Sequence, residues 1–193
     1  PPQNKSAKIL LTGIFFPHRR FEDAVLAAGL LRNDGYRIEV TIVGDYSSDK
    51  NYHQKIVRLT KEKSLENSVK FLGKISDSDL HDQYASNDIF IFPNHAQTWG
   101  LVVMEAMAAG LPVIVSKTAG ASEVLTEGEN ALLVSPKCPK EIAEAIKHLL
   151  DDREFYLKLS QNGRKFVEAN ISWRKYTQAM LRVFMEARAS YKF

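Results

Sequence analysis

The sequence predicts an α/β fold: a doubly wound, Rossmann-like parallel sheet of about six strands, with helices on both faces and two further helices at the carboxyl end. From residue 7 onward, short apolar runs alternate with longer amphipathic segments, which is the pattern of parallel strands joined by crossover helices. Most of the short runs lack the polar–apolar alternation of a half-exposed sheet, so both sheet faces should be covered. After the last run, the pattern is wholly helical.

The strand candidates are short and rich in Ile, Val, Leu and Phe. They occupy residues 8–12, 38–43, 69–72, 89–92, 112–115 and 131–134. Helices are expected over residues 21–33, 52–63, 77–85, 101–109 and 140–150, and then over 154–169 and 173–189. Gly110-Leu111-Pro112 marks the clearest boundary between a helix and a strand, because glycine ends helices and proline cannot continue them. Ser76 followed by Asp79 predicts a helix cap.

Composition limits the classes of protein that the chain can represent. Its 193 residues, 45% of them apolar, suit one globular domain over residues 7–193, with residues 1–6 expected to be a linker. The net charge of +3 is too small to predict nucleic-acid binding. Cys138 is the only cysteine, which excludes an intramolecular disulfide and favours a cytoplasmic setting. No apolar run approaches the roughly 18 residues that span a bilayer.

Two loops follow strands at the edge where such sheets bind ligands, near the point where the strand order reverses. The first, residues 13–20, contains Gly13, Arg19 and Arg20. Glycine lets a ligand approach the backbone, and guanidinium groups bind phosphate oxygens, so this loop predicts a diphosphate site. A solvated pair of arginines at a helix start is the alternative.

The second loop, residues 93–100, leads into a helix. Thr98 is expected to cap that helix, so that the free amides of its first turn face the crevice and can bind an anion or a sugar hydroxyl. Trp99 could stack on a sugar or a base, but a position in the core is favoured. Glu105 is flanked by Met104 and Ala106 and needs a hydroxyl or amide partner if it is buried.

Residues 97–113 resemble the donor-binding signature of retaining, nucleotide-sugar-dependent glycosyltransferases of the GT-B fold (glycosyltransferase family 4-like, group 1). That signature has two glutamates separated by seven residues, followed by a small-residue helix and Gly-x-Pro-Val. Glu105 matches the second glutamate, whereas the first position holds Gln97, which can hydrogen-bond sugar hydroxyls but carries no charge.

The resemblance covers nearly the whole chain. Gly13 and Arg19 match the glycine and the basic residue of the family's Gly-Arg-…-Lys-Gly loop. Ile14 replaces the usual arginine there, and Arg20 is expected to compensate for it. Residues 69–75 resemble the segment through which the family contacts the nucleotide base, and Lys74 and Ile75 are the last two residues of that segment.

The resemblance implies a role for each matching residue. Arg19, Gln97 and Glu105 would be catalytic: Glu105 accepts hydrogen bonds from ribose hydroxyls and Arg19 offsets the charge of the leaving diphosphate. The full set expected to bind the donor is Gly13, Arg19, Arg20, Lys74, Ile75, Gln97, Thr98, Gly100, Leu101, Val102 and Glu105. No metal or other cofactor is expected.

The implied protein is the carboxyl-terminal, nucleotide-sugar-binding half of a glycosyltransferase, with hexosyl transfer as the parent activity. The amino-terminal acceptor lobe would be absent, so the fragment is expected to bind without turning over, and part of the apolar stripe from Tyr176 to Ala187 should be exposed. A membrane surface is a candidate partner of the parent only. The sequence leaves the nucleobase, the sugar and the acceptor unspecified.

Three alternatives stay open. Gln97 and Ile14 replace two usual polar contacts, which fits a non-catalytic nucleotide-sugar-binding or regulatory domain. One half of a sugar-nucleotide epimerase shares the two-lobed architecture. The acids of Asp77-Ser78-Asp79 could bind a metal, although a helix cap fits them better.

Overall fold

The protein, seen here in a computed structural model that describes residues 2, 5–96 and 99–191, contains one six-stranded sheet. Every strand pairing is parallel, and the strand order is β3-β2-β1-β4-β5-β6. The strands are β1 (Ser6–Thr12), β2 (Arg37–Val43), β3 (Val69–Gly73), β4 (Ile89–Phe92), β5 (Val113–Ser116) and β6 (Leu132–Val134). The predicted doubly wound α/β fold is therefore confirmed, and β1 takes Ser6 from the predicted linker.

Seven α-helices connect and follow the strands in the described part of the chain. They are α1 (Phe21–Asn33), α2 (Lys50–Glu62), α3 (Asp77–Ser86), α4 (Leu101–Ala108), α5 (Pro139–Asp151), α6 (Arg153–Asn170) and α7 (Trp173–Ser190). Short 3-10 helices lie at Pro17–Arg19 and Gly120–Val124. Each predicted helix and strand is present, with ends within two residues of the expected ones.

The sheet separates two apolar cores, as its apolar strands predicted. Ile9 and Leu11 of β1 point into the first core, which α1, α2 and α5 cover, whereas Leu10 points into the second, beneath α3 and α4. This alternation follows from the strand geometry, in which successive side chains face opposite sides of the sheet. Burial on both faces explains why the strands carry almost continuous apolar runs.

Helix α6 crosses the edge of the sheet where the strands begin. Tyr156 Oη donates to the carbonyl of Asp88 at 2.7 Å, and Ser160 Oγ donates to that of Gly110 at 2.6 Å. Asn162 Nδ2 donates to the carbonyl of Glu129 at 3.0 Å. Because these three acceptors precede β4, β5 and β6, α6 closes the amino-terminal edge and leaves the carboxyl-terminal edge open.

Helix α7 buries no side chain against the rest of the described chain, although Lys175 Nζ donates to the carbonyl of Ala169 at the end of α6. None of its described residues is buried; Trp173 is 84% exposed and Phe184 is 62% exposed. Tyr176 and Val183 are exposed and Met180 is half-buried. The expectation that part of this apolar stripe is exposed is therefore confirmed. No helix in the described chain is long and apolar enough to cross a bilayer.

Deleting α7 should leave the rest of the domain as stable as before. A chain ending at Ser172 loses no buried side chain, so we expect its free energy of unfolding in urea to stay within ~0.5 kcal/mol of the full chain. As a control, Leu159→Ala on the fully buried face of α6 should cost ~2–5 kcal/mol. A loss of several kcal/mol on deletion would mean that α7 packs on the domain.

Candidate functional site

The loop after β1 lies against the end of β2. The Gly13 amide donates to the carbonyl of Val43 at 2.9 Å, and the Phe15 amide donates to that of Asp45 at 3.0 Å. A Cβ at Gly44 would lie 1.8 Å from the Gly13 carbonyl oxygen, so only glycine permits this approach of the two backbones. The fully buried Phe15 side chain anchors the loop. The loop therefore has a fixed position above the carboxyl edge.

Arg19 extends from this loop across the point where the strand order reverses. Its guanidinium carbon lies 5.8 Å from the ring centroid of Phe92, the last residue of β4. Its Nε is buried without a hydrogen-bond partner, and none of the ion pairs found in residues 5–96 and 99–191 includes it. Burial lowers the pKa of Arg19 from its usual value. A partly buried cation without a carboxylate partner is suited to an anionic ligand.

Backbone and side-chain contacts join the first loop to the loop after β4. The His95 amide donates to the carbonyl of His18 at 3.0 Å, and Thr118, after β5, donates its hydroxyl to the carbonyl of Asn94 at 3.2 Å. Burial and the charge of Arg19 lower the pKa of His18. The ends of β1, β4 and β5 thus form one connected wall around Arg19.

Helix α4 begins beside this wall. Gly100 is its N-cap residue, with φ 81° and ψ 57°, and a Cβ there would lie 2.7 Å from Cε1 of Phe92. The helix begins at Leu101, and Gly100 supplies the left-handed turn before it. Gln97 and Thr98 lie outside the described residues. The amides of Leu101 and Val102 belong to the first turn, where helical amides have no intrahelical acceptor.

Glu105 lies one turn further along α4 and is exposed. Tyr84, buried on α3, donates its hydroxyl to Glu105 Oε2 at 2.9 Å. Among the described residues, no donor contacts Glu105 Oε1. The expected hydroxyl partner of Glu105 is therefore Tyr84, and one carboxylate oxygen stays available to a ligand. Burial and the neighbouring carboxylate of Glu105 raise the pKa of Tyr84 above its usual range.

Arg20 does not share the position of Arg19. Its Nη2 lies 2.6 Å from Asp23 Oδ1 and its Nη1 lies 2.9 Å from Glu22 Oε1. Both carboxylates belong to α1, and these bonds turn the guanidinium toward that helix. The expectation that Arg20 replaces the missing arginine at Ile14 therefore needs correction, because three of its five N–H donors are engaged by carboxylates of α1.

The remaining predicted residues occupy the same edge or its surroundings. Lys74, exposed, and Ile75, half-buried against the second core, follow β3, which is two strands away from β1. Trp99 is 46% exposed, so its predicted core position is wrong. The Asp79 amide donates to Ser76 Oγ at 3.1 Å, which confirms the helix cap. No group of three metal-ligating side chains occurs in the described ranges.

Sequence reasoning missed Tyr84 and Phe92. Tyr84 precedes Glu105 by 21 residues on a different helix, and nothing in the spacing connects them. In the sequence, Phe92 could not be distinguished from the other apolar residues of the predicted strands. Its position at the end of β4, beside the strand-order reversal, was the available signal, because side chains at that end reach the crevice.

The strand-order reversal of this doubly wound sheet carries an unpaired arginine, a helix amino terminus and a hydroxyl-bonded carboxylate. These features define a domain of the nucleotide-binding class, whose ligands carry phosphate. The chain belongs to the family described as glycosyl transferases group 1, which matches residues 1–166.

The chain is similar to several known proteins. It is 32% identical over 120 residues to an uncharacterised glycosyltransferase of Methanocaldococcus jannaschii, covering 62% of this chain and 31% of that protein. It is 30% identical over 161 residues to a D-inositol 3-phosphate glycosyltransferase of Corynebacterium efficiens, covering 83% of this chain and 38% of that protein. The chain therefore spans about a third of the length of these two relatives.

Two solved structures share the fold. The carboxyl-terminal domain of a glycosyl transferase group 1 family protein (LpcC) from Francisella tularensis superposes with a TM-score of 0.79 at 25% identity, covering 86% of this chain and 87% of that one. Anabaena HepE, solved in complex with UDP-glucose, superposes with a TM-score of 0.85 at 22% identity, covering 94% of this chain and 49% of that one.

Replacing Gly100 should destabilise the domain more than replacing an unconfined glycine. Gly100→Ala places a methyl group 2.7 Å from the Phe92 ring, whereas Gly35→Ala, at a similar φ of 83°, meets no atom within 4 Å. Backbone strain of ~1–2 kcal/mol applies to both variants, and we expect Gly100→Ala to lose a further ~1–3 kcal/mol from overpacking. Equal losses in urea denaturation would contradict the close packing of Gly100 on Phe92.

Stability should fall at alkaline pH. Burial, with Glu22 and Glu105 as carboxylate neighbours, raises the pKa of Tyr52 and Tyr84 in the folded state. Both hydroxyls stay protonated in the folded protein when the unfolded chain already ionises, so the free energy of unfolding decreases as pH rises above about 10. Urea denaturation at several pH values should show a shallower decrease for Tyr84→Phe and an unchanged one for the exposed Tyr176→Phe. An unchanged slope in Tyr84→Phe would contradict the buried Tyr84–Glu105 contact.

Proposed function

We propose that this chain is the nucleotide-sugar donor-binding domain of a retaining glycosyltransferase, which transfers a glycosyl group, here a hexosyl group, from a nucleoside-diphosphate sugar to an acceptor. The observation that carries the proposal is the position of Arg19, an unpaired and partly buried cation at the strand-order reversal. The family and the UDP-glucose complex of HepE support it.

Each side of the crevice has a chemical task in this proposal. Arg19 binds the diphosphate, and the first-turn amides of α4 contribute further donors to phosphate or sugar oxygens. Glu105 accepts hydrogen bonds from the ribose hydroxyls through Oε1 while Tyr84 holds Oε2. When the glycosidic bond to the diphosphate breaks, negative charge grows on the leaving oxygen, and Arg19 stabilises it electrostatically.

Gln97 is the remaining catalytic residue in the proposal. Its amide can hydrogen-bond sugar hydroxyls, but it cannot place a negative charge beside a developing oxocarbenium-like centre. Catalysis in this domain therefore depends mainly on leaving-group stabilisation.

The rest of the protein belongs to the same proposal. The two relatives are about twice as long as this chain, and we place the acceptor site on an amino-terminal lobe that accounts for the difference. The exposed face of α7, which includes Tyr176 and Phe184, packs against that lobe. The domain alone binds its donor without turnover, in the cytoplasm.

A non-catalytic donor-binding domain is the second candidate. The observation that favours it is Ile14, an exposed apolar side chain where the resemblance places an arginine. Turnover by the whole parent protein separates this candidate from the first.

Calorimetric titration of the domain tests donor binding. We expect it to bind at least one of UDP, GDP and ADP, together with the corresponding nucleotide sugar. Arg19→Ala should weaken binding of the diphosphate by ~10–100-fold, because a charge-assisted hydrogen bond is lost, and should leave binding of the bare nucleoside unchanged. Glu105→Ala should weaken binding of both.

Arg164→Ala and Glu168→Ala are matched controls. These exposed residues pair with each other on α6, at the opposite edge of the sheet, at 2.9 Å. Neither should change nucleotide affinity. Absence of nucleotide binding, or full affinity in both Arg19→Ala and Glu105→Ala, would overturn the proposal.

A further inference from the structure

Arg20 has a backbone conformation that side-chain-bearing residues rarely adopt. It connects the 3-10 helix Pro17–Arg19 to α1, with φ 55° and ψ 37°. For a residue with a Cβ, this left-handed conformation costs roughly 1–2 kcal/mol. The conformation persists only if surrounding contacts compensate for that cost.

Two carboxylates provide the compensation. Arg20 Nε and Nη2 donate to the two carboxylate oxygens of Asp23 at 3.0 and 2.6 Å, and Nη1 donates to Glu22 Oε1 at 2.9 Å. The side chains of Asp23 and Glu22 are 0% and 6% exposed. Because two of these bonds form a bidentate pair with a buried carboxylate, they fix the guanidinium in one orientation.

Helix α2 adds a second set of contacts to the same group. Tyr52 Oη donates to Glu22 Oε2 at 2.5 Å and accepts the Phe21 amide at 2.9 Å. Lys55 Nζ lies 3.2 Å from Glu22 Oε1. The amino end of α1, where Arg20 is the N-cap residue, is therefore tied to helix α2.

Arg19 depends on this arrangement because its side chain lies over the Phe92 ring but has no hydrogen-bond or ion-pair partner in the described chain. Its amide donates to the carbonyl of Phe16 at 2.9 Å, and the next residue is the left-handed Arg20. If Arg20 returned to an ordinary conformation, the chain direction after Pro17–Arg19 would change and the Arg19 side chain would leave the Phe92 ring.

We propose that Arg20 is a positioning residue: its ion pairs with Asp23 and Glu22 hold the left-handed turn that directs the Arg19 guanidinium toward the diphosphate of the ligand. This inference rests on the proposed function. It excludes direct phosphate binding by Arg20.

Two substitutions at Arg20 separate positioning from direct binding. Glycine adopts the left-handed conformation without side-chain support, whereas alanine does not. We expect Arg20→Gly to keep UDP, GDP or ADP affinity within about 3-fold of the wild-type value, and Arg20→Ala to weaken it by about 10-fold. If Arg20 bound phosphate directly, both variants would lose the same contact and the same affinity.

Asp23→Asn gives an independent result. Removing a negative charge near an anion site strengthens anion binding if charge alone matters. Positioning predicts the opposite, a several-fold weaker affinity, because the bidentate pair with Arg20 is lost. Stronger or unchanged binding in Asp23→Asn would overturn the inference.

A double-mutant cycle with Arg19→Ala tests whether Arg20 acts through Arg19. Once Arg19 is absent, Arg20→Ala should cause no further loss of affinity, so the two effects are non-additive. Additive losses would mean that Arg20 contributes separately.

Crystal structures of Arg20→Gly and Arg20→Ala without ligand distinguish failure of this inference from failure of the proposed function. We expect Arg19 to stay over the Phe92 ring in Arg20→Gly and to move away in Arg20→Ala. Absence of nucleotide binding by the wild-type domain overturns the proposed function, whereas an unmoved Arg19 in Arg20→Ala overturns the positioning role.

Discussion

The parallel pairing of β1 with β4 is the constraint on which the rest of the structure depends. The helix that follows β1 covers one face of the sheet, and the helix that follows β4 covers the other. The two loops must therefore diverge as they leave adjacent strands, and a crevice opens between them. Arg19 and the start of α4 lie along this crevice because of that topology. Arg19 Nε, buried beside this crevice without a hydrogen-bond partner, is available to a ligand that enters it.

The two sides of the crevice are organised differently. On the α1 side, the guanidinium of Arg20 is held by the carboxylates of Glu22 and Asp23, and Glu22 is contacted in turn by the hydroxyl of Tyr52 and by Lys55. Glu22, Asp23 and Tyr52 are buried, whereas Lys55 is exposed. On the α4 side, a single hydroxyl, that of Tyr84, orients the carboxylate of Glu105. The first arrangement is rigid because each oxygen has its own donor. The second leaves Glu105 Oε1 free to adapt to a ligand.

Much of the fold could be predicted from the sequence because β4 and β5 are buried on both faces and helices α2, α5 and α6 each bury one face. α5, whose buried residues Ile142, Ile146 and Leu149 recur at helical spacing, shows why such patterns are reliable. Arg19 and Glu105 could also be predicted as site residues, since a guanidinium and a carboxylate in these loops indicate what they can bind. The ion pairs of Arg20 with Glu22 and Asp23 could not be predicted, because the sequence does not distinguish two adjacent arginines whose backbone angles differ. The need for glycine at the N-cap, Gly100, was not evident either, because it comes from the ring of Phe92, with which a Cβ at residue 100 would clash.

Helix α6 ties both cores together, with Leu159 in the first and Val167 in the second. Its hydrogen bonds to Asp88 and Gly110 reach back 68 and 50 residues in the chain. During synthesis, those carbonyls leave the ribosome long before their donors do. The contacts that cover the amino-terminal edge of the sheet therefore cannot form until residues 153–170 have emerged.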